Sequence, residues 1–251
     1  MTIKIVVPIS GGKDSQACMK LAISEYGRDH VVGLFCDTQF EHPETYKHVD
    51  RIAELYGVTI HHVSGGSVLE KCEKYGRFPG GGARHCTDEL KMRETRIFLQ
   101  RLILEYPQGF EVWYGMRTAE SGERARRYQD RISTDTYQPH EVFPSKYPQY
   151  LGKAGVRFRM PILDWTSFEV LDFLAGEQHP FYAAGFDRVG CFPCLASGDE
   201  WKEKAFSFDE FGASQRVDVM ALAEKIGKDV WTSKGGAQRN NPAQGCLLCS
   251  I

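Results

Sequence analysis

The sequence contains no apolar run near the roughly 20 residues that a membrane-crossing helix needs, so we expect no transmembrane segment. It has no excess of one charge either, since 31 Lys and Arg residues accompany 33 Asp and Glu residues. That balance argues against a surface that coats nucleic acid broadly, but it leaves a local basic patch open. A small-residue cleavage site is absent from the N-terminal MTIKIVVPISGG, which we interpret as a buried strand rather than a signal peptide. We therefore expect a cytoplasmic globular protein.

Cysteine, by contrast, is plentiful, with eight residues in a chain of 251. Because the expected compartment is reducing, we do not expect structural disulfides. Cys18 and Cys36 lie inside apolar stretches and are predicted to be buried core residues. The sequence also holds two C-x2-C pairs, Cys191 with Cys194 and Cys246 with Cys249. In a cytosolic chain this spacing is typical of metal or redox chemistry.

Strands and helices are predicted to alternate along most of the chain. Apolar, β-branched runs predict strands at 3–9, 31–37, 58–63, 110–116 and 156–163. Apolar residues at helical spacing predict helices at 14–26, 43–56, 89–106 and 167–174. Such alternation predicts an α/β fold, with a doubly wound, mostly parallel five-stranded sheet and helices on both faces. Ligands of such sheets bind beyond the carboxyl ends of the strands, which places the expected site at 9–15, 37–45 and 115–124.

Two segments stand outside this alternation. Residues 133–154 are rich in Tyr and Pro, and they predict an irregular connection for which a flexible lid is one interpretation. The tail from about Val189 carries four of the eight cysteines and indicates a small Cys-rich C-terminal subdomain. We accordingly predict a nucleotide-binding domain over residues 1–185 and the Cys-rich subdomain over residues 186–251.

The first predicted strand runs directly into a glycine-containing loop, Ser10-Gly11-Gly12-Lys13-Asp14-Ser15. Its two glycines let the backbone turn tightly, so that successive N–H groups can point at one ligand. The helix that follows adds the positive end of its dipole, and Lys13 adds a full positive charge. The segment does not follow the G-x-x-x-x-G-K-S/T pattern of the common P-loop. We interpret it as a cradle for phosphate; an ordinary strand-to-helix turn with Asp14 near the N-cap is the alternative.

Side chains suited to a nucleotide follow two further strands. Asp37 and Thr38 end the second strand, where they can bind a ribose or an adenine edge or help to place Mg²⁺. A capping Asp-Thr turn is the alternative. Arg117 and Arg124 are predicted to share one face of a helical turn, where two guanidiniums can clamp phosphate or sulfate. Glu120, between them, can orient an arginine or bind Mg²⁺.

Six separated segments, spanning about residues 5–195, resemble the phosphoadenosine phosphosulfate (PAPS) reductase family. This family lies within the ATP-pyrophosphatase (PP-loop, adenine nucleotide alpha hydrolase-like) superfamily, whose pyrophosphate loop SGGKDS resembles. Residues 37–46 resemble the family's DT…PET segment, and residues 84–91 resemble its R-x-C-T-x-x-L-K box. Residues 115–124 are similar to G-x-R-x-x-E-S-x-x-R. The series is completed by Pro161-Ile162…Asp164-Trp165-Thr166 and Gly190-Cys191…Cys194.

The resemblance implies an adenine-nucleotide enzyme with a site built from these segments. The implied catalytic residues are Lys13, Asp14, Cys86 and Arg117. The implied ATP and Mg²⁺ contacts are Ser10, Gly11, Gly12, Lys13, Asp14, Ser15, Asp37, Thr38, Gly115, Arg117, Glu120 and Arg124.

Two departures from the reductases direct the functional prediction. PAPS reductases carry a degraded loop, whereas the loop is intact here, and this favours ATP cleaved between its α and β phosphates. The reductases also carry a nucleophilic cysteine in E-C-G-L/I-H, whereas this chain ends in GCLLCSI. We predict an ATP-dependent enzyme that adenylates its substrate, releases pyrophosphate and serves sulfur transfer. The alternatives are a PAPS or APS (adenosine phosphosulfate) reductase, an ATP sulfurylase subunit, and a non-catalytic nucleotide-binding Fe–S or zinc scaffold.

A metal centre is the remaining expectation. The APS reductase branch, which this chain resembles, holds a 4Fe–4S cluster with two adjacent cysteines and a C-x2-C pair; here one of the adjacent positions is His85. The candidate ligands are four of Cys86, Cys191, Cys194, Cys246 and Cys249. The two C-x2-C pairs alone are the alternative set, which would leave Cys86 as a sulfur-carrying thiol, and Zn²⁺ is the alternative metal. A sulfur-donor protein, a tRNA or DNA substrate and a homodimer are partner expectations; a membrane is not.

Overall fold

The computed structural model describes residues 2–80 and 84–231. Its strands are Ile5–Ile9 (β1), Val31–Asp37 (β2), Ile60–Ser64 (β3), Glu111–Trp113 (β4) and Arg157–Arg159 (β5). Its α-helices are Lys13–Tyr26 (α1), Pro43–Tyr56 (α2), Val68–Tyr75 (α3), Arg93–Glu105 (α4), Gly122–Tyr128 (α5), Pro139–Val142 (α6), Gln149–Lys153 (α7), Ser167–Leu174 (α8), Asp199–Phe206 (α9) and Glu210–Ile226 (α10). Within these residues no helix is both long and apolar enough to cross a membrane.

The strands form one sheet in the order β3-β2-β1-β4-β5, and every pairing in it is parallel. This confirms the predicted α/β fold with a five-stranded, doubly wound sheet. The chain builds outward from β1 to β3 and then returns to place β4 on the other side of β1. The strand order therefore reverses beside β1, and the crevice beyond the carboxyl ends of β1 and β4 is where such sheets bind ligands.

Helices cover both faces of the sheet, which explains the continuous apolar runs of the strands. Val6 of β1 belongs to one buried cluster and its neighbour Val7 to another on the opposite face. Cys36 lies in the first of these clusters and Cys18 in the second, so both are buried core residues as predicted. A strand that is buried on both faces has no polar side, which is why apolar content rather than alternation indicates it.

The segment 133–154 is not a lid. It forms α6 and α7, and its large apolar side chains lie in the main core. Phe143 and Leu151 have no exposed surface, and the Phe143 ring packs edge to face on Tyr114 at 5.2 Å between ring centroids. The interpretation as a flexible lid was therefore wrong. Between its Pro and polar residues the segment carries apolar residues that are buried in the core and hold it in place.

The strands predicted at 110–116 and 156–163 are shorter than expected, three residues each. Two helical elements also differ from the predicted ones, for local reasons. The helix expected at 89–106 begins with a π-helical turn, Thr87–Met92, before α4. Helix α3 was not predicted, although Ser67 and Glu70 form a capping box at its start. That box was the available signal, because Ser followed three residues later by Glu is typical of a helix N-terminus.

The C-terminal helices pack on α3. A third apolar cluster joins Phe206 and Val219, from α9 and α10, to Val68 and Cys72 of α3 and to Leu90. Residues on both sides of the predicted boundary at 185/186 therefore share one cluster. The division into two domains stays a prediction.

Candidate functional site

The loop after β1 has a backbone shape that requires glycine. Gly11 has φ +76°, and a Cβ at this position would lie 2.9 Å from Thr45 Cγ2. Ser15 closes the loop, because its hydroxyl donates to the Gly12 carbonyl at 2.9 Å and accepts from the Ser10 amide at 3.2 Å. Helix α1 begins directly after Gly12, which has no side chain with which to cap it. The amides of its first turn therefore face the loop, as in an anion-binding helix start.

Three charged side chains meet at this loop. Asp14 Oδ2 lies 2.9 Å from Lys13 Nζ, and Asp14 Oδ1 accepts from Arg117 Nε at 2.6 Å. The side chains of Lys13, Asp14 and Arg117 are 6%, 13% and 3% exposed. Burial lowers the pKa of Lys13, the Asp14 carboxylate opposes this shift, and the Arg117 guanidinium adds to it. The three groups carry a net charge of +1, which suits the loop to an anion.

Gly115 explains how Asp14 and Arg117, which are 103 positions apart in the sequence, come together. It follows β4, which pairs with β1, and a Cβ at Gly115 would lie 2.6 Å from the backbone carbon of Asp14 and 2.7 Å from the Ser15 nitrogen. Only a residue without a side chain lets the two backbones approach this closely. Arg117 follows two residues later and also donates to the Trp165 carbonyl at 3.3 Å and to Ser167 Oγ at 3.1 Å.

Arg117 and Arg124 do not share a helical face, so that prediction was wrong. Arg117 is in extended backbone, whereas Arg124 lies inside α5. Glu120 links the two residues, since its carboxylate accepts from the Arg117 amide at 3.2 Å and pairs with the Arg124 guanidinium. Glu120 thus orients an arginine, one of the two roles expected of it. The clamp on a phosphate or sulfate stays a prediction.

The end of β2 carries a second polar group. Asp37 Oδ1 accepts from the Gln39 amide and from the Tyr46 hydroxyl, both at 2.7 Å. Asp37 thereby caps the turn after β2, which was the alternative interpretation, and its contact with a nucleotide stays a prediction. Thr38 donates through its hydroxyl to Glu41 at 2.7 Å.

Glu41 was not predicted from the sequence. It is 4% exposed, and its carboxylate also accepts from the Thr38 and Phe40 amides, both at 3.2 Å. Burial raises its pKa, and the nearby charge of Lys91 opposes that shift. The only available signal was an acidic residue between the Asp-Thr turn and the Pro-initiated helix α2.

The first C-x2-C pair begins at this same edge. Cys191 Sγ lies 3.3 Å from Thr38 Oγ1 and 3.8 Å from Glu41 Oε1, and a backbone bridge joins Cys191 to Glu41. Cys86, which immediately precedes the π-helical turn, packs against the same apolar cluster as Cys191. Cys72 lies close to His85, with Sγ 3.7 Å from Nε2, and burial raises the pKa of Cys72 to about 12.

The described cysteines do not by themselves form a metal site. Across residues 2–80 and 84–231, no group of three or more His, Cys, Asp and Glu side chains is arranged to hold a metal ion. Cys194 is the second member of its pair, and its carbonyl accepts from the Ser197 amide at 2.9 Å. Cys246 and Cys249 lie outside the described residues. The metal centre and its ligand set stay a prediction.

Tyr182 is a further side chain at the loop that sequence reasoning missed. Its hydroxyl accepts from the Lys13 amide at 3.0 Å, across 169 residues of sequence. Lys13 Nζ also lies 5.7 Å from the centroid of its ring. No local pattern marks this contact, because it arises where the segment before the C-x2-C pair crosses the loop.

Comparison with known proteins places the chain in a family. The model described as phosphoadenosine phosphosulfate reductase domain matches residues 4–197. An uncharacterized protein of Methanocaldococcus jannaschii is 31% identical over 195 residues, which cover 76% of this chain and 36% of that protein. Sulfate adenylyltransferase subunit 2 of Pseudomonas fluorescens is 29% identical over 184 residues, or 70% of this chain and 57% of that subunit.

Among solved structures, the PAPS reductase of Candida auris in its phosphate complex covers 75% of this chain and 81% of its own, with a TM-score of 0.48 and 16% identity. The chain spans 36%, 66% and 40% of the length of the first three curated relatives it matches. The family match covers the sheet, the loop after β1, Arg117 and the first C-x2-C pair. The chain therefore belongs to the phosphoadenosine phosphosulfate reductase domain family.

Proposed function

We propose that this protein is an ATP-dependent PP-loop enzyme that adenylates an oxygen of its substrate and releases pyrophosphate. The observation that carries the proposal is the complete loop after β1, with Lys13 at its centre and Arg117 beside it. A pyrophosphate leaving group develops negative charge, which fixed cations and backbone amides stabilise more strongly than they stabilise the ground state. The relationship to a sulfate adenylyltransferase subunit supports the same chemistry.

In the proposed reaction the substrate oxygen attacks the α-phosphorus of ATP, and the bond from that phosphorus to the bridging oxygen of the β-phosphate breaks. Lys13 and the loop amides hold the departing pyrophosphate. Arg117 keeps Asp14 in place, and Asp14 in turn positions Lys13 Nζ. Bound Mg²⁺, which Asp37 and Glu120 are expected to help hold, would neutralise further phosphate charge. A sulfur nucleophile then attacks the carbon that bears the adenylated oxygen, and AMP leaves with that oxygen.

The first test is pyrophosphate release from ATP and Mg²⁺, measured with tRNA, DNA and small-molecule acceptors in separate reactions. Lys13→Ala should lower release by about 10²-fold or more, the usual effect of removing one oxyanion donor. Lys20→Ala is the matched control, because Lys20 lies on the same helix and pairs with Glu177 at 3.0 Å, away from the loop. Undiminished release by Lys13→Ala would contradict the proposal. Sulfite release from PAPS or APS, with no pyrophosphate from ATP, would favour the reductase alternative.

We also propose that four of Cys86, Cys191, Cys194, Cys246 and Cys249 hold a 4Fe–4S cluster, with Zn²⁺ as the alternative. The proposal is supported by the thiolate chemistry of the two C-x2-C pairs and by the packing of Cys86 and Cys191 on one apolar cluster. Anaerobically purified protein should contain about four irons per chain. Cys191→Ser should lose the metal, whereas Cys18→Ala, in the core, should retain it. Full iron content in Cys191→Ser would show that Cys191 is not a metal ligand. A sulfur-donor protein, a tRNA or DNA acceptor and a homodimer stay predictions.

A further inference from the structure

The Tyr182 hydroxyl lies directly against the loop after β1. In addition to its bond with the Lys13 amide, its hydroxyl would lie 3.4 Å from a Cβ built at Gly12, and the Val189 carbonyl would lie 3.5 Å from the same point. The segment that carries Tyr182 and Val189 therefore passes directly over the two loop glycines. A ligand bound in the loop would therefore lie close to this hydroxyl.

The Tyr182 hydroxyl has a proton that it can donate to a ligand. A phenol has one O–H donor and can also accept, and Tyr182 uses its accepting capacity for the Lys13 amide. Within the part of the chain that the structure describes, no acceptor for the Tyr182 proton is recorded. Burial raises the pKa of Tyr182, and the Asp14 carboxylate adds to the shift, so the hydroxyl keeps its proton at neutral pH. The group is thus a neutral donor among the charged groups of the loop.

We infer that Tyr182 is a positioning residue that donates its hydroxyl proton to an oxygen of the pyrophosphate portion of ATP. The inference rests on the proposed function and assigns a further contact to the same loop. In that position Tyr182 supplies what Lys13 and Arg117 do not, a hydrogen bond from a neutral group. It also fixes the Lys13 amide, so the ligand and the start of α1 are held by one oxygen atom.

The location of Tyr182 predicts which ligands depend on it. The expected contacts of the adenosine portion are Asp37 and Thr38, at the end of β2, whereas Tyr182 contacts the loop after β1. Removal of the hydroxyl should therefore weaken the binding of ligands that contain pyrophosphate and leave the binding of AMP unchanged. Replacing a residue that merely supports the fold would weaken the binding of ATP, pyrophosphate and AMP alike.

The experiment compares dissociation constants for ATP with Mg²⁺, inorganic pyrophosphate and AMP by titration calorimetry on the full chain. Tyr182→Phe keeps the ring and should raise the dissociation constants of pyrophosphate and ATP by about tenfold or more, as expected for the loss of a hydrogen bond to a charged group. The dissociation constant of AMP should change by less than about twofold. Tyr147→Phe is the matched control, because it removes a buried hydroxyl that pairs with Tyr114 at 3.1 Å in the core. It should change none of the three constants.

Lys13→Ala separates failure of this inference from failure of the proposed function. If Lys13→Ala loses pyrophosphate binding while Tyr182→Phe binds it like the unmodified protein, the role of Tyr182 is overturned and the loop assignment stands. Equal loss of AMP and pyrophosphate in Tyr182→Phe also overturns the inference, because it indicates a supporting role. If the unmodified protein binds neither ATP nor pyrophosphate, the proposed function and the inference fail together.

Discussion

Replacing Asp14 by asparagine should lower the free energy of unfolding by about 3 kcal/mol, because it leaves two buried cations without their shared carboxylate. Asp14 lies 2.6 Å from Arg117 Nε and 2.9 Å from Lys13 Nζ, and all three side chains are mostly buried. Each ion pair at such distances is worth about 6 kcal/mol in a medium of intermediate dielectric constant, and desolvation offsets much of it. Removing one partner of a buried pair costs about 3–5 kcal/mol. The lower value applies here, because solvent reaches part of the Asp14 side chain, which is 13% exposed.

Thermal denaturation measures this loss. In a chain of this size, about 1 kcal/mol corresponds to about 2–4 °C, so the midpoint should fall by about 6–12 °C. Asp29→Asn is the matched control: Asp29 pairs with Arg28 at 4.0 Å, both side chains are 68% exposed, and the midpoint should move by less than about 2 °C. Pyrophosphate should raise the midpoint of Asp14→Asn more than that of the unmodified protein, since an anion replaces the missing charge. Equal midpoints for the Asp14 and Asp29 variants would refute the buried triad.

Acid should destabilise the protein through two buried histidines. Burial lowers the pKa of His48 to about 4 and that of His179 to about 3, from about 6.5 in the unfolded chain, so folding excludes protons. Their stabilisation is complete above about pH 6.5, falls as the pH drops below that value, and is fully lost below about 4 for His48 and about 3 for His179. His48 contributes about 3 kcal/mol. Urea melts between pH 7 and 4 should detect this loss, and a variant with both His48→Asn and His179→Asn should show a flatter dependence on pH. Gly115→Ala should cost about 2 kcal/mol or more and abolish ATP binding, because its methyl group meets the first turn of α1 at 2.6 Å. Gly198→Ala, where a Cβ meets nothing within 4 Å, is the control for calorimetry and melting, and equal effects would show that the close approach is unimportant.

The fold was predictable because its central strands have no polar face. Val31–Asp37 was predicted to the residue, since burial on both sides leaves a continuous apolar run in the sequence. At 133–154 the same reasoning failed, because the core residues Phe143 and Leu151 are separated by polar, Pro and Tyr residues without a helical or strand period. A segment of that kind is held in place mainly by its core contacts, and its two helices, α6 and α7, are too short to leave a period in the sequence.

The local parts of the site were predictable for a similar reason. Ser10 to Ser15 form one contiguous loop, and Gly11 adopts the positive φ that its residue type permits. The way in which distant side chains meet at the loop was not predictable. Arg117 was expected to share a helical face with Arg124, whereas it is extended and bound to Asp14.

The sequence by itself determined the strands, the phosphate loop and the family, because each depends on residues that are close in sequence and on their local backbone preferences. Only the tertiary structure decided that Arg117 reaches Asp14, that Glu41 faces Cys191 and that Tyr182 covers the loop. These pairs are separated by 103, 150 and 169 residues. Arg117 meets Asp14 because the chain returns to place β4 beside β1, and the other two pairs form where the segment after α8 packs against the carboxyl ends of β1 and β2. The order of strands and the path of that segment are set by how apolar faces pack rather than by any local pattern.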